Sequence, residues 1–178
     1  PIAFGLTNSQ IIRVQNMSSI RVETSVLIVG AGPVGLTLAI VLAMRGIDVT
    51  VAEIRYPREV PSVKCNHVSA RSMEIFRRLG VATQLRHAGL PEDYANDCSF
   101  RTTVTGMEIT RIPIPCRRDR YTATDGPDTW WPTPEPPHRI NQTFLEPILF
   151  DHATALDKIR FLNRTQIDSV QQNGSQVC

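Results

Sequence analysis

Residues 26–53 constrain this chain more than any other stretch of it. Val26-Leu27-Ile28-Val29 is a short apolar, β-rich run that stops at Gly30. Such a run reads as a strand buried on both faces, as in the interior of a parallel sheet. Over residues 34–45 the pattern turns helical. Leu36, Leu38, Ala39, Val41, Leu42 and Ala43 lie almost all round the helix, which predicts a largely buried one, with Gly46 as its C′ residue. Residues 48–53 alternate and are rich in valine, so they predict a second strand. Strand, helix and strand in this order make a βαβ unit with a right-handed crossover.

The turn between the first strand and the helix is Gly30-Ala31-Gly32-Pro33-Val34-Gly35, a G-x-G-x-x-G pattern. The pattern alone is weak; after a strand and before a helix each part has a physical task. Gly30 permits the tight turn, Gly32 lets backbone approach a pyrophosphate, and Gly35 lets the helix lie close to the strand. The helix N-terminus meets the anion's charge. Residues 30–35, with Ala31, Pro33 and Val34 among them, are therefore candidate cofactor-binding residues. Glu53 closes the second strand near the roughly 20-residue offset at which a carboxylate takes a ribose diol. The fingerprint by itself does not separate FAD from NAD.

Further along, two prolines mark residues 55–61 as loop. A helix is predicted over residues 69–79, with Met73, Phe76 and Leu79 on its inner face, Ile75 beside them and Gly80 ending it. Arg71, Arg77 and Arg78 form its solvated face. A short helix follows over residues 81–87, ending near Gly89, and strands are predicted within residues 99–114. Residues 126–137 carry two tryptophans among several prolines and should be irregular. Trp130 and Trp131 are expected to anchor that loop. Arg117, Arg118 and Arg120, with Asp119 among them, read as an exposed turn. Thr143-x-x-Glu146 has the form of a capping box, with Pro147 in or next to the first turn of the helix that follows. Residues 159–162 and 166–172 read as strands, and Asn173-Gly174 is a hairpin signal followed by four residues. That ending suggests a piece of a longer polypeptide.

Composition sets bounds on partners. Of 178 residues, 42% are hydrophobic and 20% charged, which fits a globular chain; the net charge of +2 makes no electrostatic case for nucleic acid or an anionic membrane. No apolar run approaches the ~20 residues of a spanning helix. Cys65, Cys98, Cys116 and Cys178 form no C-x-x-C pair, and His67, His87, His138 and His152 stand at no metal-ligand spacing from them. Free thiols in the cytoplasm are expected, with no metal site. The polar N-terminus has no continuous apolar region, so no secretory signal is expected. Residues 1–21 are set aside as an N-terminal extension, Met17 having the look of a natural start.

Three segments carry a family likeness. They are Val26 to Glu53, then Lys64-Cys65-Asn66-His67-Val68-Ser69-Ala70-Arg71-Ser72-Met73-Glu74-Ile75-Phe76-Arg77-Arg78-Leu79-Gly80, then Arg139-Ile140-Asn141-Gln142-Thr143-Phe144-Leu145-Glu146-Pro147-Ile148-Leu149. In this order they resemble the FAD-dependent aromatic hydroxylases, the single-component flavoprotein monooxygenases such as phenol and hydroxyphenylpropionate hydroxylases. The resemblance implies an α/β fold: a Rossmann-like, doubly wound parallel sheet of an FAD-binding domain, incomplete at its C-terminus. Residues 22–178 would be the N-terminal part of that domain, with an irregular proline-rich segment at about 113–138. It implies FAD as cofactor and NADPH or NADH as co-substrate, with an aromatic (phenolic) substrate in the complete enzyme.

The likeness also suggests residue roles. Lys64 falls where the family has an arginine on the adenosine and pyrophosphate side of the flavin; the alternative is a solvated loop charge. Gln142 matches a glutamine that bonds the ribityl chain; the alternative is a polar residue at a helix start. Arg139 reaches FAD or pairs with a local carboxylate. The family's Asp-Gly and Gly-Asp motifs cannot be placed, since Asp125-Gly126 lies before Gln142 in the proline-rich loop. No residue is assigned a catalytic role. The expected function is the FAD-binding part of a monooxygenase, inactive by itself, with a second chain or a C-terminal region completing the fold. The alternatives are another FAD- or NAD-linked oxidoreductase, or a non-catalytic nucleotide-binding fragment that needs a partner chain.

Overall fold

A computed structural model describes residues 2–5, 22–62, 64, 66–174 and 176–177. Cys65, Cys178 and Met17 lie outside the described residues. The chain divides into two units. Pro1–Ser62 with Glu146–Cys178 form the first, and Val63–Leu145 the second.

The first unit is built on a sheet of four strands, β1 (Ile2–Gly5), β2 (Val26–Val29), β3 (Val49–Glu53) and β8 (Ile159–Asn163), in that spatial order. β2, β3 and β8 are parallel, in the register Ile28↔Val51↔Phe161. All five residues of β3 are buried, as a central strand in a parallel sheet requires. The segment set aside as an extension supplies β1, which pairs antiparallel with β2 from Ile2↔Val29 to Gly5↔Val26.

α1 (Pro33–Ala43) crosses from β2 to β3. Its Leu36, Ala39 and Ile40 are fully buried, and the helix packs against β2, β3 and β8. Ile28 meets the start of α1, and its register partner Phe161 takes the ring of Phe150 at 4.9 Å. Phe150 belongs to α4 (Gln142–Thr154), whose C-terminal part lies in this unit. Both crossover helices therefore sit on one face, as right-handed connections running in one direction along the sheet demand. The opposite face buries Leu27 and Ala52 with Val22, and Val29, Leu162 and Ile167 close over them.

The second unit contains β4 (His67–Val68), α2 (Ala70–Arg78), α3 (Ala82–His87), β5 (Cys98–Arg101), β6 (Glu108–Ile112) and β7 (His138–Arg139). Ser69 caps α2, its Oγ accepting from the Ser72 N–H at 3.2 Å. Met73, Phe76, Leu79 and Leu85 form the buried face of α2 and α3, while Arg71, Arg77 and Arg78 are exposed as expected. β4 pairs with β7, and β5 with β6, both antiparallel. Residues 113–137 are irregular.

Four sequence expectations need correction. α4 starts at Gln142, and Asn141 caps it: Asn141 Oδ1 accepts from the Thr143 N–H at 3.0 Å. The capping box is not formed, because Glu146 instead meets Arg55, and Pro147 falls inside the helix. Residues 166–171 are not strand. Ile167 turns in to the sheet cluster and Gln166 bonds Asp168, leaving only β9 (Gln172–Asn173), which pairs with β10 (Gln176–Val177) across the expected hairpin. Arg120 is 3% exposed rather than part of an exposed turn, since the loop folds back to offer it the Asp128 carbonyl at 2.9 Å. Finally, only one tryptophan anchors the loop. Trp131 meets Tyr121 edge-on at 6.2 Å, whereas Trp130 is 80% exposed.

Candidate functional site

The fingerprint forms as a continuous turn at the C-terminal end of β2. Gly30 has a φ of +101°, a conformation costly for any residue with a Cβ. Its N–H donates to the Ala52 carbonyl at 2.8 Å, which ties the turn to the end of β3. Gly35 is required by packing instead. A Cβ there would lie 2.0 Å from the Gly30 carbonyl oxygen and 3.3 Å from Ile28 Cγ2. Helix α1 is thus held as close to β2 as a glycine permits.

Gly32 differs from both. Its φ of −75° and ψ of 178° suit any residue, and a Cβ would meet no heavy atom within 4 Å. Nothing within the described chain explains a glycine here. The open space over Gly32 is a cradle that a side chain would fill, at the helix N-terminus, where backbone N–H groups and the helix dipole favour an anion. Gly32 is the N-cap without a side-chain cap bond, Pro33 follows as N1 and needs no N–H acceptor, and the first turn carries no acidic residue. Val34 is 65% exposed beside it. These residues fit a dinucleotide diphosphate.

Glu53 ends β3 and is 7% exposed. Its Oε2 accepts from the Ala31 N–H at 2.6 Å, so the carboxylate touches the fingerprint turn directly. Its Oε1 accepts from Arg55, through the backbone N–H at 2.9 Å and Nε at 3.0 Å. Burial alone would raise the Glu53 pKa; the Arg55 side-chain, Arg55 backbone and Ala31 hydrogen bonds outweigh it and hold the carboxyl below its ordinary range. Arg55 is shared. Its Nη2 donates to Glu146 Oε1 at 2.5 Å, and its pKa is raised, first by the bond to Glu53.

Arg55 and Glu146 are functional candidates that the sequence did not reveal. The sequence places Arg55 in a loop and Glu146 in a helix cap. The one local signal was an arginine two residues past a strand-end carboxylate. An open pocket lies beside Ala31, Glu53, Arg55, Tyr56, Pro147 and Phe150, within the first unit. The Arg164 guanidinium stacks over the Tyr56 ring at its rim, 4.7 Å from the centroid.

The fold thus brings Gly30, Ala31, Gly32, Pro33, Val34, Gly35 and Glu53 into one site. Lys64, Arg139 and Gln142 belong to the second unit. Lys64 is exposed, Gln142 opens α4 half-buried, and Arg139 in β7 pairs with His67 across the β4–β7 ladder.

Comparison with known proteins follows the same lines. The model of the FAD binding domain family matches residues 23–178. The chain is similar to phenol 2-monooxygenase of Pseudomonas sp. (strain EST1001), 33% identical over 138 residues, covering 75% of this chain and 21% of that protein. It is also similar to 2,4-dichlorophenol 6-monooxygenase of Cupriavidus pinatubonensis (strain JMP 134 / LMG 1197), 32% identical over 148 residues, covering 80% and 23%. Among solved structures, the rebeccamycin biosynthetic enzyme RebC with reduced flavin superposes with a TM-score of 0.71 at 36% identity, covering 85% of this chain and 27% of that one. The flavin-dependent monooxygenase PieE in complex with FAD and substrate gives 0.68 at 26%, covering 85% and 25%. The chain spans about a quarter of the length of these relatives.

Proposed function

Because the chain belongs to the FAD binding domain family, we propose that it is the FAD-binding part of a flavin-dependent monooxygenase that hydroxylates a phenolic ring, with NADPH or NADH as co-substrate. The observation that carries this reading is the open space over Gly32 at the start of α1, with the Glu53 carboxylate against the same turn. Bound FAD supplies the two-electron chemistry by which a reduced flavin activates O₂ for insertion into an aromatic ring.

The chain's own residues have narrower tasks. The backbone of residues 30–35 cradles the diphosphate, and Gly35 sets the distance between α1 and β2. Glu53 accepts from the adenosine ribose. A carboxylate has about four lone-pair sites, and in this structure Ala31 and Arg55 occupy most of them. Ribose binding therefore requires Arg55 to loosen from Glu53 and lean on Glu146. The family resemblance assigns Lys64 to the adenosine and pyrophosphate side of FAD and Gln142 to its ribityl chain. The setting is cytoplasmic, a reading that rests on the cysteine spacing in the sequence, which forms no C-x-x-C pair. No helix among the described residues is long and apolar enough to cross a membrane.

Hydroxylation requires more than these residues. The chain's share of its relatives' length supports a further region of polypeptide, or a companion chain, that carries the substrate pocket. The test is the identity of the released ligand. Purified protein is denatured, and the supernatant is examined by flavin absorbance and chromatography. FAD is expected; NAD with no flavin overturns the reading.

A further inference from the structure

The second unit carries a part-open pocket lined by four arginines, Arg86, Arg117, Arg120 and Arg139. Only part of this charge is answered. Glu135 accepts from Arg86 at 2.8 Å, and Asp128 stands 3.7 Å from Arg120. Among the described residues, no carboxylate lies within ion-pair distance of Arg117 or Arg139. Arg117 donates to the Arg86 carbonyl. The Nε of Arg139 is buried and has no hydrogen-bond partner among the described residues.

Arg117 and Arg139 are partly exposed, but an unsatisfied buried donor such as the Arg139 Nε–H calls for a missing acceptor. The groups around the cavity register the excess. Burial, and then repulsion from Arg139 and Arg86 against the attraction of Asp128, lowers the Arg120 pKa. His138, buried with its Nε2 on the Leu85 carbonyl at 3.0 Å, is pushed down to about 4, by burial first and then by Arg86. It is neutral at pH 7 and adds no charge of its own. The rim is of another kind: Leu90, Tyr94 and Tyr121 are all roughly half exposed. Guanidinium forks below an aromatic rim suit an organic molecule that carries an oxyanion.

We propose that this cavity binds a small organic anion, its phosphate or carboxylate held by Arg117 and Arg139. The sequence left Arg139 between FAD and a local carboxylate. No local carboxylate meets it among the described residues, and the cavity supplies the third answer. The proposal goes beyond the FAD reading, which rests on the first unit.

The Nε–H of Arg139 provides a direct probe. The 178-residue chain is labelled with ¹⁵N-arginine, and its Nε–Hε resonances are followed while inorganic phosphate or benzoate is added, with sodium chloride at matched ionic strength as control and FAD as a separate titrant. Saturable shifts at Arg117 and Arg139 with phosphate or benzoate are expected. Phosphate alone assigns a phosphoryl ligand, and benzoate alone a carboxylate. Arg139→Gln and Arg117→Gln should each weaken that binding at least tenfold with the circular dichroism spectrum unchanged. Arg117→Lys, which keeps the charge and loses the fork, should fall between. No saturation with either probe, equal shifts with chloride, or the same shifts with FAD alone overturns the proposal. Because the probes are added without FAD, a failure of the FAD reading leaves this result standing, and the converse also holds.

Discussion

Gly32 and Gly35 stand three residues apart in one motif, yet the structure gives them separable tasks, so alanine at each should fail differently. At Gly35 the new Cβ would stand 2.0 Å from the Gly30 carbonyl oxygen and 3.3 Å from Ile28 Cγ2. Ordinary contact is about 3.5 Å, so α1 must retreat by more than an ångström or the turn must open. The oxygen is backbone and cannot rotate aside, and Gly30 is itself held by its bond to Ala52. Overpacking costs about 1–3 kcal/mol, more for an obstacle this rigid, and alanine returns about 1 kcal/mol in helix propensity. A net loss of about 2 kcal/mol lowers the melting temperature by roughly 4–8 °C in a chain of this size. At Gly32 the Cβ meets nothing and the backbone is extended. The stability change there should stay within about 1 kcal/mol, set by the poorer N-cap, while FAD affinity falls at least tenfold, about 1.4 kcal/mol. Urea unfolding followed by circular dichroism reads the first quantity, and flavin fluorescence titration the second. A Gly35→Ala protein with the parental midpoint, or a Gly32→Ala protein with the parental affinity, refutes this division of labour.

Glu53→Ala should weaken FAD binding about tenfold or more, since charge-assisted bonds of roughly 1.5–3 kcal/mol are lost; equal affinity in the same titration removes Glu53 from the ribose. The carboxyl's pKa lies below the unfolded value of 4.5, so its contribution to stability is complete above that pH and is lost as pH falls through the folded value. Urea midpoints measured from pH 6 down to pH 3 should therefore fall less steeply in Glu53→Gln than in the parent, and matching slopes would count against the Glu53–Arg55 pair. Arg55→Ala leaves Glu53 and Glu146 buried without their shared cation and should cost about 3 kcal/mol or more; a loss under 1 kcal/mol would show the pair to be well solvated. The chain by itself should show no substrate-dependent NADPH oxidation with phenolic substrates, and hydroxylated product at monomer mass would relocate the active site into these 178 residues.

The β2–α1–β3 unit was legible because everything that specifies it is local. The change from a continuous apolar run to helical periodicity falls at the glycines, and each glycine's task follows from its place in the turn. The helix over residues 69–79 was legible for the same reason, although its Ser69 cap was not singled out. Glu146 was not, because its partner Arg55 lies 91 residues away and a Thr-x-x-Glu spelling offered a local use for it. Asn141, the actual cap, stood unnoticed two positions earlier. The buried state of Arg120 was hidden by a different cause. Its acceptor is the carbonyl of Asp128, and a backbone carbonyl has no residue-type signature. Lys64 and Gln142 were assigned by family likeness rather than by physical pattern, and that is still what supports them.

The first unit is discontinuous: residues 63–145 interrupt it between β3 and the second half of α4. Its central strand pairs Val49 with Ile159, so a long loop must close before β3 gains its second neighbour. By polymer scaling such closure costs on the order of 4 kcal/mol in chain entropy, and nearly as much for a loop of half the length. Contacts this distant in sequence slow folding. On the ribosome β2, α1 and β3 emerge first and must wait, with one edge of β3 open, until β8 follows. We expect early folding of the intervening segment to relieve this delay by drawing the two ends of the loop together. Pulsed hydrogen exchange should then show amides of α2 and α3 protected before those of β3; the reverse order would place the nucleus in the βαβ unit itself.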